Sequence, residues 1–365
     1  MRAIAVTPRE PHSARLIDLP APTAGPGQLR VKVLRVGVCG TDLEIDRGEY
    51  GTAPVGASRL IIGHENLGRV ESLGGGVTGF EVGDLVVSSV RRPDDCPQCR
   101  AGEQDMCTKG DYTEHGIKGL DGFMAELYVE LPRWLVKLPS ELAVEGVLLE
   151  PLTVVEKGVR EAYRIQARMR EWAPKKTLVL GAGPVGLLGA MLLRLRGLDT
   201  TVYGRDPSAF LAGRAAAIGA TYVASLDAKG QGAVRLEDLP GRFGPFDLIL
   251  EATGNAEVAL GAMSLIGLNG VLCLASVTGG EAMVKISPAQ LNLELVMGNR
   301  VVFGTVNANQ LDFEQGVTDL AQARGRWPGW LESLLTRRVP MARFREAFER
   351  SPSDIKVAIE IEAAE

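Results

Sequence analysis

The chain of 365 residues is long enough for about two domains, each with its own core. Its hydrophobic content of 45% and charged content of 23% are typical of a globular protein, and its formal net charge of −5 argues against nucleic-acid binding. It carries no apolar run that could span a bilayer and no recognisable signal peptide, so we expect no membrane association and a cytoplasmic location.

Residues 1–155 carry short β-type segments, among them 29–36, 63–70 and 83–90, separated by turns rich in glycine and proline. This pattern predicts a first, mostly-β domain over residues 1–155. From residue 156 onward, strands alternate with helices, which predicts right-handed crossovers and a doubly wound, six-stranded parallel sheet over 156–305. We expect the segment 306–365 to return to the first domain. The predicted strands of the sheet are 178–180, 200–203, 221–223, 247–250, 271–274 and 301–303, and its predicted helices include 187–195, 209–218 and 256–266.

The first domain contains two short clusters of metal-binding residue types. Cys39 begins the run Cys-Gly-Thr-Asp, which includes Thr41, and His64 and Glu65 follow later in the chain. Each of these residues alone is more often structural than functional. Together they offer a thiolate, an imidazole and a carboxylate, which are the ligands of a zinc site open to water or substrate.

A further carboxylate, Glu150, precedes a helical stretch. Acidic residues are common at exposed helix starts, where they favour the positive end of the dipole. The apolar flanks 146–149 and 152–155 instead favour a partly buried Glu150, and a buried carboxylate needs a partner.

The five cysteines are an odd number, and Cys96 and Cys99 form a Cys-x2-Cys pair with Cys107 close behind. This spacing favours metal over a disulfide framework and indicates a reducing compartment. Three cysteines hold a structural zinc when a fourth ligand is supplied, for which Asp94 and Asp95 are adjacent candidates. The alternative is a loop of free thiols without metal.

A nucleotide site is predicted where the apolar strand 178–180 runs into a glycine-rich turn before an apolar helix, 187–195, which Gly186 opens. Gly181 and Gly183 leave room for a pyrophosphate, and Gly186 lets the helix pack close to its strand. The first helical N–H groups then face the phosphate charge. A glycine turn that serves only packing is disfavoured by this strand and helix on either side.

Arg205 and Asp206 follow the second strand of the predicted sheet, where the two nicotinamide cofactors are distinguished. An acid here accepts the ribose hydroxyls of NAD, whereas an arginine pairs with the 2′-phosphate of NADP. The alternative for Arg205 is a solvated loop cation. We expect use of NADP with NAD also accepted.

Taken together, these motifs resemble those of the zinc-dependent medium-chain dehydrogenases and, within them, the microbial glucose (aldose) 1-dehydrogenases. The general resemblance rests on residues 39–42, 63–65, 96–107 and 181–186, and the narrower one on 112–119, 150–157, 204–206 and 299–309. It implies a GroES-like catalytic domain, a Rossmann domain and a homo-oligomer, either a tetramer or a dimer.

The resemblance also implies roles for individual residues. The catalytic zinc would be held by Cys39, His64 and either Glu65 or Glu150, with these two carboxylates exchanging direct and water-mediated roles. The residues implied to contact sugar hydroxyls are Thr41, Glu114, Glu150 and Asn307. The residues implied to contact the cofactor, besides the glycines, are Pro184, Val185, Leu274, Ala275, Ser276, Thr305, Val306 and Asn307.

Two departures from the family pattern stand out. Pro93 occupies the place of the first of four lobe cysteines, so the lobe is either empty or completed by Asp94 or Asp95. Gly204 and a single Arg205 replace paired basic residues, which weakens the expectation of strict NADP preference.

The expected activity is zinc-dependent oxidation of an aldose, D-glucose first, at C1 to the aldonolactone, with hydride transfer to NAD(P)+. Thr41 is expected to relay the proton because it lies two residues after a metal ligand. The nearer alternative is a dehydrogenase of another sugar, polyol or alcohol. The alternative of a different class is a non-catalytic NAD(P)-binding redox sensor.

Overall fold

The structure is a computed structural model that describes residues 1–279 and 283–361. Its strands are β1 (Arg2–Val6), β2 (Arg15–Asp18), β3 (Leu29–Val38), β4 (Leu60–Ile61), β5 (Glu65–Leu73), β6 (Leu85–Ser88), β7 (Arg91–Arg92), β8 (Thr113–His115), β9 (Gly119–Leu120), β10 (Leu127–Glu130), β11 (Leu135–Leu138), β12 (Lys176–Leu180), β13 (Asp199–Gly204), β14 (Thr221–Ala224), β15 (Phe246–Glu251), β16 (Ile266–Leu274), β17 (Val301–Gly304), β18 (Leu335–Pro340) and β19 (Lys356–Glu360).

The α-helices are α1 (Gly40–Asp46), α2 (Pro97–Arg100), α3 (Leu149–Gln166), α4 (Pro184–Leu195), α5 (Ala209–Ala217), α6 (Leu239–Phe243), α7 (Ala256–Gly261), α8 (Pro288–Met297), α9 (Gln310–Arg326) and α10 (Phe344–Phe348). Within the described part of the chain, none of them combines the length and the apolar character needed to cross a membrane.

One structural unit is built on a mostly antiparallel sheet with the strand order β11-β6-β5-β3-β19-β18, and β10 also pairs with β3. Alternating side chains of β3, such as Val31 and Val33, are fully buried, which is the pattern expected of a strand with one face on a core. The C-terminal strand β19 pairs antiparallel with β3, with Val357 opposite Val38. This pairing brings the end of the chain to the strand that leads into Cys39.

The other unit contains a sheet with the strand order β14-β13-β12-β15-β16-β17, in which neighbouring strands are parallel. Its central strands β12 and β15 are almost wholly buried, as expected where helices cover both faces of a parallel sheet. The six-stranded doubly wound sheet predicted from the sequence is confirmed. The order reverses between β12 and β15, and a crevice at such a point is where nucleotides bind in this architecture.

Two local predictions were wrong. Helix α4 begins at Pro184, not at Gly186, because Gly183 occupies the N-cap and the fixed φ of proline suits the first helical position. The predicted helix 256–266 ends at Gly261 and a single 3-10 turn follows. Ile266 then starts β16, where it pairs with Phe246, so burial in the sheet outweighs the helical pattern.

Contacts divide the chain into the two units just described. The first comprises residues 1–153 and 307–324 and, as far as it is described, the chain from 331 onward. The second comprises 154–306 and 325–330. The indole Nε1 of Trp330 donates to the carbonyl of Arg214, which ties the short segment 325–330 to the second unit.

Candidate functional site

Cys39 is held in place by the start of helix α1. Its sulfur accepts a hydrogen bond from the N–H of Thr41 at 3.3 Å, and its own N–H donates to Oδ2 of Asp42 at 2.9 Å. This reciprocal cap satisfies two helix-end donors and directs the sulfur to 3.1 Å from Nε2 of His64. A thiol and an imidazole from separate segments of the chain therefore meet.

His64 is buried, and Asp42 lies behind it with Oδ1 at 3.6 Å from Nδ1. A carboxylate in this position orients the ring and favours Nε2 as the ligand atom. Burial opposes a charge on His64, but the neighbouring Cys39 and Asp42 outweigh it and raise the pKa of His64 well above its usual value. The surroundings of this imidazole thus favour a positive charge.

The two candidate carboxylates have different partners. Both oxygens of Glu65, the first residue of β5, lie 2.6 Å from Nζ of Lys356, which also donates to the carbonyl of Val38. Glu150 lies in the first turn of α3. Burial, reinforced by the negative charges of Glu65 and Asp42, raises its pKa.

These side chains form a donor set suited to zinc. Ligand atoms of Cys39, Asp42 and His64 lie within 4.8 Å of one another, and so do those of His64, Glu65 and Glu150. His64 belongs to both groups. Sulfur, nitrogen and oxygen donors are those that zinc takes in proteins, and a dication would offset the negative charge that perturbs His64 and Glu150.

The residues implied to contact sugar also come together in part. Nδ2 of Asn307 donates to Oε1 of the buried Glu114 at 2.8 Å, although the two are 193 residues apart in the chain. Asn307 has a φ of 60°, a left-handed conformation that asparagine tolerates better than most residues. Thr41 follows Cys39 in the first turn of α1.

One of the two candidate aspartates lies together with the three cysteines of the lobe. Ligand atoms of Asp94, Cys96, Cys99 and Cys107 lie within 4.8 Å of one another, and Oδ2 of Asp94 lies 2.9 Å from the sulfur of Cys107. The hydrogen bond from this thiol lowers the pKa of Asp94 well below its usual range. Asp95 is 70% exposed at its side chain and pairs with Lys109 instead.

The glycine turn after β12 fits a phosphate group. Gly181 has a φ of 106°, and a β-carbon on Gly186 would collide with the carbonyl oxygen of Gly181. Gly183 caps α4 without a side-chain hydrogen bond, and Pro184 and Val185 follow as its first residues. The first-turn N–H groups are therefore available to an anion at the positive end of the helix.

Arg205 and Asp206 leave the carboxyl end of β13 and pair with each other, with Nη2 of Arg205 at 3.1 Å from Oδ2 of Asp206. Both side chains are largely exposed. Tyr222 donates to the carbonyl of Asp206, and Ser225 donates to that of Arg205. The loop is thus fixed through its backbone, while the guanidinium reaches solvent.

The other residues implied to contact the cofactor lie at the ends of β16 and β17. Leu274 ends β16, Ala275 and Ser276 follow it, and the N–H of Thr305 donates to the carbonyl of Leu274. Nζ of Lys157 donates a hydrogen bond to the carbonyl oxygen of the exposed Val306 at 2.9 Å.

Sequence reasoning missed several supporting residues. Glu251, buried at the end of β15, accepts hydrogen bonds from Thr253 and Ser276. The only sign of this residue in the sequence was an acidic residue at the end of a predicted strand. Asp42 lay in a motif already singled out but was assigned no role. Lys356 and Arg91 gave no local signal, because each acts on a residue brought near only by the fold.

A mostly-β unit with a sulfur, nitrogen and carboxylate donor set, joined to a doubly wound parallel sheet with a phosphate-binding turn, defines a zinc-dependent medium-chain dehydrogenase. Comparisons with known proteins agree with this class. Residues 25–140 match the alcohol dehydrogenase GroES-like domain, and residues 143–361 match the glucose dehydrogenase C-terminus.

The chain is 43% identical to a glucose 1-dehydrogenase of Methanocella arvoryzae, over 100% of both chains. It is 42% identical to a glucose 1-dehydrogenase of Thermoproteus tenax, over 99% of this chain and 100% of that one. The structure superposes on the Haloferax mediterranei glucose dehydrogenase in complex with NADP, Zn and gluconolactone with a TM-score of 0.89, at 32% identity and with both chains fully covered.

The chain therefore belongs to the glucose dehydrogenase family of zinc-dependent medium-chain dehydrogenases. This confirms the family that the sequence motifs predicted.

Proposed function

We propose that this protein oxidises D-glucose at C1 to the lactone with NADP+ or NAD+ as the hydride acceptor, in a zinc-dependent reaction. The observation that carries the proposal is the convergence of Cys39, His64 and two carboxylates in one unit. The names of its relatives support the same substrate, and the related Haloferax mediterranei structure contains gluconolactone, the product of this oxidation.

Cys39 and His64 would hold the catalytic zinc together with Glu150 or Glu65. Zinc, when bound, acts as a Lewis acid that lowers the pKa of a hydroxyl at the metal. Glu150 is favoured as the direct carboxylate ligand, because both oxygens of Glu65 are hydrogen-bonded to Lys356. Asp42 would keep Nε2 of His64 directed at the metal.

Glu114 and Asn307, with Thr41 and Glu150, would bind the sugar through its hydroxyl groups. A buried site that pairs its polar groups with substrate hydroxyls rejects compounds that lack them, because those polar groups are then left unpaired. The Thr41 hydroxyl would carry the C1 hydroxyl proton away from the site. These roles distinguish a sugar dehydrogenase from an enzyme for simple alcohols.

In the second unit, Gly181, Gly183, Pro184, Val185 and Gly186 would hold the pyrophosphate. The residues that would contact the rest of the cofactor in this unit are Leu274, Ala275, Ser276, Thr305 and Val306. Arg205 would pair with the 2′-phosphate of NADP, while Asp206 competes for that guanidinium and leaves room for NAD. We therefore propose dual use with NADP preferred.

Asp94, Cys96, Cys99 and Cys107 would hold a second, structural zinc. Four ligand atoms within 4.8 Å support this assignment, and the ion pair of Asp95 with Lys109 supports Asp94 as the fourth ligand. Three thiolates and one carboxylate form a closed set of four ligands, as structural zinc requires.

We also propose a cytoplasmic homo-oligomer, a tetramer or a dimer. The free cysteines support a reducing compartment. Among the described residues, strand β17 pairs with β16 and lies at the edge of its sheet, and Leu293, Val296 and Met297 of the preceding helix are exposed. An open strand edge next to exposed apolar side chains is a common subunit contact.

Steady-state rates with glucose, galactose, xylose, sorbitol and ethanol, each with NADP+ and with NAD+, test the proposed function. We expect glucose with NADP+ to give the highest kcat/KM and zinc chelation to abolish turnover. Comparable rates with ethanol would assign the protein to general alcohol oxidation. NADP+ binding without any turnover would support the redox-sensor alternative.

A further inference from the structure

Glu114 is a buried carboxylate whose two oxygens have unequal surroundings. It lies on β8 directly opposite Arg91 of β7, and only 5% of its surface is exposed. Oε1 accepts hydrogen bonds from Nε of Arg91 at 3.0 Å, from Nη2 of Arg91 at 2.9 Å and from Nδ2 of Asn307 at 2.8 Å. Three donors converge on one oxygen.

Arg91 is itself held on several sides. Its Nη1 lies 3.4 Å from the carbonyl oxygens of Gln104 and Asp105, and its guanidinium stacks on the ring of Tyr112, 3.7 Å from the centroid. The side chain is buried. A planar guanidinium engaged on each of its edges is restrained from rotating, so the Oε1 atom that it binds is held in one position.

Asn307 is anchored to the same turn. Two residues later, Nδ2 of Asn309 donates to Oδ1 of Asp105 at 3.1 Å, and Asn309 is buried. The turn at 104–105 therefore positions Arg91 through its carbonyl oxygens and the 307–309 segment through a carboxylate. In this way the turn at 104–105 positions both Glu114, through Arg91, and Asn307, through Asn309.

We infer that Arg91 is a positioning residue that determines sugar specificity: by engaging Oε1 of Glu114, it directs Oε2 to accept from one substrate hydroxyl. The inference rests on the proposed sugar oxidation and adds to it the residue that orients the hydroxyl acceptor. Arg91 acts through Glu114 and does not itself contact the reacting atoms.

The direct test is Arg91→Lys, which keeps the positive charge and removes the planar fork. Losing a fixed hydrogen bond to a charged group costs binding by about 10- to 100-fold. We expect KM for glucose to rise by about that factor, kcat to change less, and the preference for glucose over 2-deoxyglucose, galactose and xylose to fall for at least one of them.

The matched control is Arg92→Lys. Arg92 is the next residue of the same strand, is largely buried, and pairs with Glu130 while stacking on Trp134. A general loss of packing at β7 would affect both variants. We expect Arg92→Lys to leave the ratio of kcat/KM between the sugars unchanged.

A double-mutant cycle separates action through Glu114 from an independent effect. In a Glu114→Gln background, Arg91→Lys should raise KM for glucose by less than about 2-fold, because the carboxylate that it orients is gone. If Arg91→Lys does not fold, as judged by thermal melting and NADP+ binding, Arg91→Gln, which keeps a planar amide donor, carries the same test.

Equal sugar ratios for Arg91→Lys and Arg92→Lys, or effects of Arg91→Lys and Glu114→Gln that simply add, would overturn the inference while leaving the proposed function intact. A wild-type protein that oxidises no sugar would overturn both. A specificity change confined to Arg91→Lys and absent in the Glu114→Gln background supports it.

Discussion

Nζ of Lys356 lies 2.6 Å from both carboxylate oxygens of Glu65, and both side chains are 2% exposed. The lysine comes from the last strand of the chain and the glutamate from the strand that follows His64. The C-terminal segment thus supplies the partner of a candidate metal ligand. This ion pair engages both oxygens of Glu65, and it is the reason why we propose Glu150 as the direct ligand.

Replacing Lys356 by Met should destabilise the first unit by about 3–5 kcal/mol, because the change leaves a buried carboxylate without its partner. Chemical denaturation at neutral pH measures this loss. Lys229→Met, at an exposed lysine, is the control and should change stability by no more than about 0.5 kcal/mol. A stable Lys356→Met protein would contradict the assigned importance of the pair.

Cys39→Ser and His64→Ala should abolish glucose oxidation and reduce bound zinc, since each removes a proposed ligand. The proposed cofactor residues other than Asn307 belong to the second unit, so the Kd for NADP+ should stay within about 3-fold of wild type. Elemental analysis and calorimetric titration give the two readouts. Cys273→Ala, at a buried cysteine of β16, should leave the zinc content unchanged; full turnover by either ligand variant would refute the site.

Asp94→Ala and Asp95→Ala should differ sharply in zinc content and in melting temperature. The first removes a proposed ligand, so zinc should fall from about two to about one ion per chain and the melting temperature should fall with it. The second removes only an exposed ion pair with Lys109, worth at most about 1 kcal/mol. Metal analysis and thermal melting of both variants measure this difference. Equal zinc contents in the two variants would contradict the proposal that Asp94 is a zinc ligand.

Asp206→Ala should raise the preference for NADP over NAD by up to about 5-fold, because it releases the Arg205 guanidinium from an exposed ion pair worth at most about 1 kcal/mol. Arg205→Ala should reverse the preference. The ratio of kcat/KM for the two cofactors at saturating glucose is the measurement. Asp227→Ala, at a half-buried acid whose carboxylate accepts from the backbone N–H groups of Lys229 and Gln231, serves as the control and should not move that ratio.

Glu130 provides a prediction for acid stability. Burial opposes ionisation of this carboxyl, but the hydrogen bond with His115 and the charge of Arg92 outweigh it and lower its pKa to about 2. Its ionised form therefore contributes stability above pH 4.5, which is lost as the pH falls from 4.5 to about 2. The contribution is about 3 kcal/mol.

Glu130→Gln should remove that contribution at pH 7 and flatten the fall of the unfolding free energy between pH 4.5 and 2. Denaturation curves at several pH values measure both effects. Glu126→Gln, at a carboxylate paired with the half-exposed Arg2, should cost no more than about 1 kcal/mol. If the unfolding free energy of Glu130→Gln fell with pH as steeply as that of the wild type, the acid sensitivity would belong to other groups.

Features that depend on neighbours in the chain were predictable from the sequence. Alternating strands and helices predicted the parallel sheet, and the order of strand, glycines and helix predicted the tight turn at Gly181, to which we assign phosphate binding. Both follow from local backbone and burial rules, which act over one or two elements. The residue types of Cys39, His64 and Glu65 were likewise sufficient to predict a zinc site.

What only the tertiary structure decided is which side chain meets which. Lys356 reaches Glu65 across 291 residues, and Asn307 reaches Glu114 across 193. Of the two adjacent aspartates, Asp94 lies against Cys107 and Asp95 lies against Lys109, which is why we propose Asp94 as the lobe's fourth ligand. Such pairings depend on strand register and chain topology, and hydrophobic periodicity does not encode the identity of a distant partner.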